Sequence, residues 1–213
     1  MGLIFRESIV DNGVVGVWKT TEDDAFFENS MDFYTEELEE LTLLKARKRS
    51  EWLSSRYLLH LLSDRDIRGA CLKDEYGKPY LKNSEYHISV SHSDDYTAVI
   101  GSPVVCGIDI QKIVSKIGRI ARRFISDEEW EYIPEADALL YYHVLWGAKE
   151  AMYKCYGKKS LIFKENILVK PFNFCSEGFF LEGKVIKDNY NENYTLFCRQ
   201  IDQLVLVYAL QNT

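Results

Sequence analysis

Two separated segments of the chain combine carboxylates with lysines, GIDIQ at residues 107–111 and WGAKEAMYK at residues 146–154. Asp109 follows an apolar run and is expected near the end of a short strand, where an inward carboxylate needs compensation, for example by a divalent cation. Glu150 and Lys154 are four residues apart on a predicted helix and therefore share a face. Together the segments predict phosphate chemistry assisted by a hard metal ion.

Each segment alone also has an ordinary structural explanation. A Glu and a Lys four apart are usually a solvated helix pair worth about 0.3–0.5 kcal/mol. An Asp commonly ends a strand by accepting bonds from nearby turn amides. A third segment, HISVSHS at residues 87–93, favours the functional explanation over the structural one. Its hydroxyls and imidazole, together with the nearby Lys78, would form a phosphate-binding site.

The motifs together resemble the phosphopantetheinyl transferases of the surfactin-synthetase-activating, Sfp-type class. The ordered set is Gly-Lys-Pro at 77–79, Ser-His-Ser at 91–93, Gly-Ile-Asp at 107–109 and Trp-x-x-Lys-Glu-x-x-x-Lys at 146–154. The resemblance implies transfer of the 4′-phosphopantetheine arm of coenzyme A to a serine of an apo acyl or peptidyl carrier protein. Adenosine 3′,5′-bisphosphate would leave, and the carrier would serve a fatty-acid, polyketide or peptide synthase.

The same resemblance implies roles for residues of the second half. Asp109, Gln111 and Glu150 are expected to bind Mg²⁺, and Gln111, which stands where the family often has a second acid, would do so by its carboxamide or through a water. Lys149 and Lys154 are expected to contact the pyrophosphate of coenzyme A or the developing charge. Glu150 is the candidate general base, and Asp109 and Lys154 complete the expected catalytic set.

In the first half, five residues are expected to bind the coenzyme, chiefly its 3′-phosphate. They are Arg49, Arg56, Lys78, Ser91 and His92. The chain departs from the family pattern again at Gly147, where Ser or Thr is common. His143 is expected to be a partly buried imidazole with satisfied hydrogen bonds rather than a catalytic group.

Composition indicates a globular enzyme of 213 residues, 46% apolar, with a net charge of −7. The negative charge argues against nonspecific nucleic-acid binding. Five cysteines without a Cys-x-x-Cys pattern favour neither disulfides nor a zinc site, so we expect a cytoplasmic protein. An early charge at Arg6 and the lack of a long apolar run predict neither a signal peptide nor a membrane span.

The periodicity predicts an α+β fold. Long helices are expected at about 36–62 and 136–156, a basic amphipathic helix at 112–124, and strands at 13–19, 87–91, 97–102, 105–110, 166–169, 178–185, 194–199 and 204–209. We expect two similar α/β halves related by a pseudo-twofold, with residues 1–102 on the coenzyme side and 103–213 on the magnesium and catalytic side. The resemblance implies that coenzyme A binds between the halves and that a monomer suffices.

The basic stretch after Asp109 has two interpretations. Its charged residues, Lys112, Lys116, Arg119, Arg122 and Arg123, either lie on a surface helix that packs its isoleucines inward or receive an acidic helix of the carrier. Two other functions also stay open. One is a catalytically weak relative that binds coenzyme A or a carrier, and the other is an unrelated metal-dependent phosphohydrolase.

Overall fold

The computed structural model describes residues 2–212, which form two compact units that divide between Val104 and Val105. Each unit joins an antiparallel sheet to one long helix, so the predicted α+β class is confirmed. None of the helices within residues 2–212 combines the length and apolar character that crossing a bilayer requires.

The first unit has six strands in the order β1-β2-β6-β5-β4-β3. Three helices accompany the sheet, and the third packs Trp52, Leu53, Leu58 and Leu62 into the core beside Trp18 and Phe27. The elements are β1 (Leu3–Ile9), β2 (Gly13–Lys19), α1 (Asp24–Asn29), α2 (Thr35–Leu43), α3 (Ala46–Ser63), β3 (Cys71–Lys73), β4 (Pro79–Leu81), β5 (His87–Ser93) and β6 (Tyr96–Ser102).

The predicted single helix over 36–62 is wrong, because the chain leaves the helical conformation between α2 and α3. Leu44 and Lys45 are extended, and Ala46 has a φ of 46°. The position of α2 is fixed by Glu37, whose buried carboxylate accepts hydrogen bonds from Arg68 and from the backbone N–H of Cys71. This anchor ties α2 to β3, and α3 begins separately at Ala46.

The second unit has five strands in the order β7-β11-β10-β9-β8. Short 3-10 helices at Ser115–Arg119 and Glu135–Asp137 join its larger elements. These are β7 (Cys106–Lys112), α4 (Ala121–Phe124), α5 (Asp127–Glu131), α6 (Ala138–Tyr156), α7 (Phe163–Asn166), β8 (Ile167–Val169), β9 (Phe179–Lys187), β10 (Tyr190–Ile201) and β11 (Leu204–Gln211).

The predicted basic helix at 112–124 is also wrong. Lys112 ends β7, and only a 3-10 turn and the four residues of α4 are helical. The physical reason lies at Val114, which is extended and whose backbone N–H donates to the ring of His143 on α6. Ile117 and Phe124 are buried, whereas Ile120 is exposed.

Helix α6 carries most of the candidate site and lies against β7 and β11. It ends at Gly157, whose φ is 71° and whose N–H donates to the carbonyl of Tyr153. At Gly107 on β7, a Cβ would lie 2.0 Å from the carbonyl oxygen of Ala151. Only glycine allows this close approach, which brings the strand that bears Asp109 directly under the helix.

Candidate active site

Strand β7 turns alternate residues toward α6, as the two-residue period of a strand requires. Gly107 lies under Ala151, Asp109 contacts Lys154, and Gln111 contacts His143. The two sequence segments that combine carboxylates and lysines therefore meet in space.

Asp109 is held by both carboxylate oxygens and is only 7% exposed. Lys154 Nζ lies 3.1 Å from Oδ1, and Gln111 Nε2 donates to Oδ2 over 3.3 Å. Lys154 Nζ also donates to the carbonyl of Ile108 at 2.6 Å. The ammonium is thus fixed beside the carboxylate, with a quarter of its side chain still open to solvent.

Glu150 lies one turn before Lys154 and is the most perturbed acid of the site. Its pKa rises to about 7, chiefly because burial penalises the charged form and also because Asp109 is negatively charged nearby, while Lys154 acts in the opposite direction. No hydrogen bond or ion pair engages its carboxyl group within residues 2–212. A carboxyl that titrates near neutral pH can accept a proton during a reaction.

The two carboxylates suit a hard cation. Asp109 and Glu150 repel each other enough to raise the pKa of Glu150, and a positive ion between them would relieve that repulsion. Magnesium binds through one or two protein carboxylates and completes its octahedron with water and phosphate oxygens. Groups of three His, Cys, Asp or Glu side chains suited to a metal do not occur in the described part of the chain. The donor set therefore fits an ion shared with a phosphate ligand.

Gln111 and His143 form a second layer beside Asp109. His143 is 1% exposed, and its Nδ1 lies 2.7 Å from Gln111 Oε1. Gln111 Nε2 donates to the backbone carbonyl of His143 at 3.1 Å as well as to Asp109. Burial lowers the pKa of the His143 imidazole. The ring is buried with satisfied partners, as the sequence indicated.

Lys149 lies on a different side of α6 from Lys154. It is fully buried, pairs with Glu129 at 2.7 Å, and donates to the carbonyls of Phe163 and Ile167 at 3.0 and 2.6 Å. All three ammonium donors are used inside the second unit. Lys149 therefore stabilises the packing of the second unit, whereas the sequence resemblance had implied that it contacts the pyrophosphate or the developing charge.

Comparison with known proteins places this arrangement in a family. Residues 105–206, which cover β7, α6 and most of the sheet of the second unit, match the model of the 4′-phosphopantetheinyl transferase superfamily. The match covers 102 of the 213 residues of the chain and nearly all of the second unit. Asp109, Glu150 and Lys154 all lie within the matched residues.

Curated relatives carry the same name. The chain is 30% identical over 111 residues to 4′-phosphopantetheinyl transferase gsp of Aneurinibacillus migulanus, covering 51% of this chain and 46% of the relative. It is 37% identical over 91 residues to a 4′-phosphopantetheinyl transferase of Bacillus subtilis, covering 39% of each. It is 33% identical over 101 residues to 4′-phosphopantetheinyl transferase Sfp of Bacillus subtilis (strain 168), covering 46% and 44%. The Sfp-type resemblance is confirmed, and the chain spans less than half the length of these relatives.

The two departures from the transferase pattern are neighbours in space. A Cβ at Gly147 would lie 3.1 Å from Gln111 Nε2 and 2.8 Å from Val207 Cγ2. Glycine at this point of α6 leaves the room that the Gln111 amide occupies. His143 was not among the predicted site residues, although it precedes Glu150 by seven residues, which is two helical turns on the same face.

The predicted coenzyme-binding arginines both have acidic partners inside the first unit. Arg49 pairs with Asp24 and Glu28 and is partly exposed. Arg56 is 4% exposed, pairs with Glu40 at 3.4 Å, donates to the carbonyl of Cys71 at 3.0 Å, and lies 3.8 Å over the ring of Trp52. These partners already neutralise much of the positive charge that was expected to meet a phosphate.

The remaining predicted coenzyme contacts lie at β5 and the turn before β4. Ser91 is buried within β5, and His92 Nε2 lies 2.8 Å from the carbonyl of Glu51 on α3. Lys78 is half-buried beside Gly77, whose φ is 88°, and its backbone N–H donates to Asp74. Their contact with a coenzyme stays a prediction.

Proposed function

We propose that the chain transfers the 4′-phosphopantetheine arm of coenzyme A to a serine hydroxyl of an apo acyl or peptidyl carrier protein, releasing adenosine 3′,5′-bisphosphate. The observation that carries the proposal is the cluster of Asp109, Glu150 and Lys154 on the facing β7 and α6 of a unit that matches the transferase superfamily model. The names of the curated relatives support the same reaction class.

Glu150 takes the proton in this proposal. A serine hydroxyl is a poor nucleophile until a base removes its proton during attack. As the serine oxygen forms its bond to the β-phosphorus of coenzyme A, the bond from that phosphorus to the bridging oxygen of the pyrophosphate breaks, and the proton passes to the Glu150 carboxylate. The pKa near 7 keeps a substantial fraction of Glu150 ionised at neutral pH.

Lys154, held in place by Asp109, stabilises the negative charge of the leaving group. The leaving group departs with an additional negative charge, and a fixed ammonium stabilises charge where it develops. Lys154 is suited to this because Asp109 and the Ile108 carbonyl hold its ammonium in place while part of the side chain stays open.

Mg²⁺ is the ion that we propose for the two carboxylates, Asp109 and Glu150. When bound, it neutralises the pyrophosphate oxygens and stabilises the charge that accumulates in phosphoryl transfer. Arg49, Arg56, Lys78, Ser91 and His92 are proposed to hold the coenzyme from the first unit, and Lys149 contributes to the framework of α6. We also propose residues 1–102 and 103–213 as the coenzyme and catalytic halves of a monomer in the cytoplasm.

A catalytically weak relative is the second candidate, because Gln111 stands where the family often has an acid. Intact-mass measurement of an apo carrier protein separates the two. Incubation with this protein, coenzyme A and Mg²⁺ is expected to add the mass of one phosphopantetheine. A carrier with its serine replaced by alanine should gain nothing, and a chelator should abolish the gain. Binding of coenzyme A without any mass gain on several carriers would favour the weak relative.

A further inference from the structure

The amide of Gln111 can adopt only one orientation in its surroundings. Its nitrogen lies 3.1 Å from the carbonyl oxygen of His143 and 3.3 Å from Asp109 Oδ2, and both neighbours are acceptors. An amide flip would place an oxygen against two oxygens. The NH₂ group must therefore face Asp109, and the Gln111 oxygen must face the His143 ring.

The same logic fixes the proton on His143. Nδ1 lies 2.7 Å from the Gln111 oxygen, so Nδ1 carries the hydrogen and donates. Nε2 then keeps its lone pair, and the backbone N–H of Val114 donates to it at 3.0 Å. The Val114 carbonyl, 3.2 Å from Nε2, is the weaker neighbour of this ring atom. A chain of donors thus runs from Val114 through His143 and Gln111 to Asp109.

We propose that His143 is a positioning residue of the transferase site, which fixes the orientation of Asp109 through the Gln111 amide. The inference rests on the proposed function only for its catalytic consequence. It also changes the expected metal set, because the Gln111 oxygen is engaged by His143 and does not face Asp109. The ion is left with the carboxylates of Asp109 and Glu150, and Gln111 acts through its N–H.

Gly147 belongs to the same arrangement. The 3.1 Å between a Cβ at this position and Gln111 Nε2 is tighter than an ordinary contact. A side chain there would press on the amide that spans from β7 to α6. Glycine at residue 147 therefore leaves the Gln111 amide in the place from which it reaches both Asp109 and the His143 carbonyl.

Two substitutions at His143 separate positioning from simple packing. The Asn side-chain nitrogen stands at the place of Nδ1, so His143→Asn keeps a donor for Gln111 and loses the acceptor for Val114. The Gln side-chain oxygen can stand at the place of Nε2, so His143→Gln keeps an acceptor for the Val114 N–H and loses the donor to Gln111. Both remove the ring, and a purely structural role predicts similar effects for both.

The measurement is the affinity for Mn²⁺ alone, followed by electron paramagnetic resonance. We expect His143→Asn to bind within about threefold of the wild type and His143→Gln to bind roughly 10-fold more weakly, the range found when groups that orient metal ligands are removed. Equal affinity across the three proteins, or no detectable binding by any of them, overturns the proposal.

Two further measurements keep the test decisive. If His143→Gln does not fold, Gln111→Met removes the N–H to Asp109 at similar volume and should show the same 10-fold loss, whereas unchanged affinity overturns the proposal. In the transfer assay, His143→Gln should need about 10-fold more Mg²⁺ with an unchanged KM for coenzyme A. A wild type that makes no modified carrier would refute the proposed function, while the Mn²⁺ affinities would still decide the role of His143.

Discussion

Replacing Lys149 with Met should destabilise the fold severely, because the buried carboxylate of Glu129 loses its positively charged partner. Lys149 is fully buried and Glu129 nearly so, and the two carry opposite charges 2.7 Å apart. Removing one partner of a buried pair costs about 3–5 kcal/mol. The carbonyls of Phe163 and Ile167 lose their donor as well. For a protein of this size, such a loss lowers the Tm by roughly 10 °C.

The assay is urea unfolding at pH 7 with Lys170→Met as the matched control. Lys170 also pairs with a glutamate, Glu182, but the two side chains are 71% and 61% exposed, so its loss should cost less than about 1 kcal/mol. In a double-mutant cycle, Lys149→Met with Glu129→Leu should cost less than the sum of the single changes, by at least about 2 kcal/mol. The reasoning is refuted if Lys149→Met unfolds no more easily than the control and instead raises the KM for coenzyme A.

Three further changes test other parts of the structure. Metal-free protein should lose up to about 3 kcal/mol of stability as pH rises from the ordinary pKa of 4.5 to about 7, because the folded state keeps the Glu150 proton that the unfolded state releases. Glu150→Gln should therefore be more stable than wild type at pH 8 and equal to it at pH 4 in chelator, and a pH-independent difference contradicts this. Gly107→Ala should cost about 3 kcal/mol or more in urea unfolding, since the new Cβ would lie 2.0 Å from a helix carbonyl oxygen. Gly118→Ala is the control, because a Cβ there would lie 3.8 Å from its nearest neighbour, an atom of the Tyr142 ring. Its free energy of unfolding should differ from that of the wild type by less than about 0.5 kcal/mol. Arg119→Glu should raise the KM for the carrier several-fold and leave the KM for coenzyme A unchanged. An unchanged carrier KM would refute the hypothesis that this basic segment docks the carrier. Arg122 is less suited to the test because its guanidinium lies 4.0 Å over the ring of Trp130 and its loss would also disturb that packing.

Sequence reasoning worked best where local patterns are strong. The sequence Ser-Asp-Glu-Glu at 126–129 is typical of a capping box, and in the structure the side chains of Ser126 and Glu129 each accept from the other residue's backbone N–H. The long apolar period of α6 and the run before Asp109 placed a helix and a strand that the structure confirms. It was their packing, permitted by Gly107, that brought Asp109 to Lys154, and the motif match had anticipated that meeting.

The errors have physical causes in tertiary contacts. The break before α3 follows from the buried anchor at Glu37, and the loss of the basic helix follows from the hydrogen bond between Val114 and His143. Both breaks depend on contacts between residues that are distant in sequence, and the periodicity of a local segment carries no information about such contacts. Strands β3 and β4 have three residues each, too few to show alternation. Strand β1 exposes Ile4 and places Glu7 on its less exposed side, so its sequence does not alternate cleanly between apolar and polar residues.

Helical geometry alone could have predicted that Lys149 points away from Lys154. Lys149 and Lys154 are five residues apart, which at about 100° per residue separates them by roughly 140° around the helix axis. Both cannot point toward one ligand. Glu150 and Lys154 differ by only about 40°, and they are the pair that the structure brings to Asp109.

The central claim is that Glu150, beside Asp109 and Lys154, is the proton acceptor in phosphopantetheine transfer. The most direct measurement is the rate of carrier modification by wild type and Glu150→Gln, at saturating Mg²⁺ and coenzyme A, followed by intact mass. Loss of a general base predicts a rate lower by a factor of roughly 10²–10⁴ in the folded variant. Equal rates in the two proteins would contradict the claim.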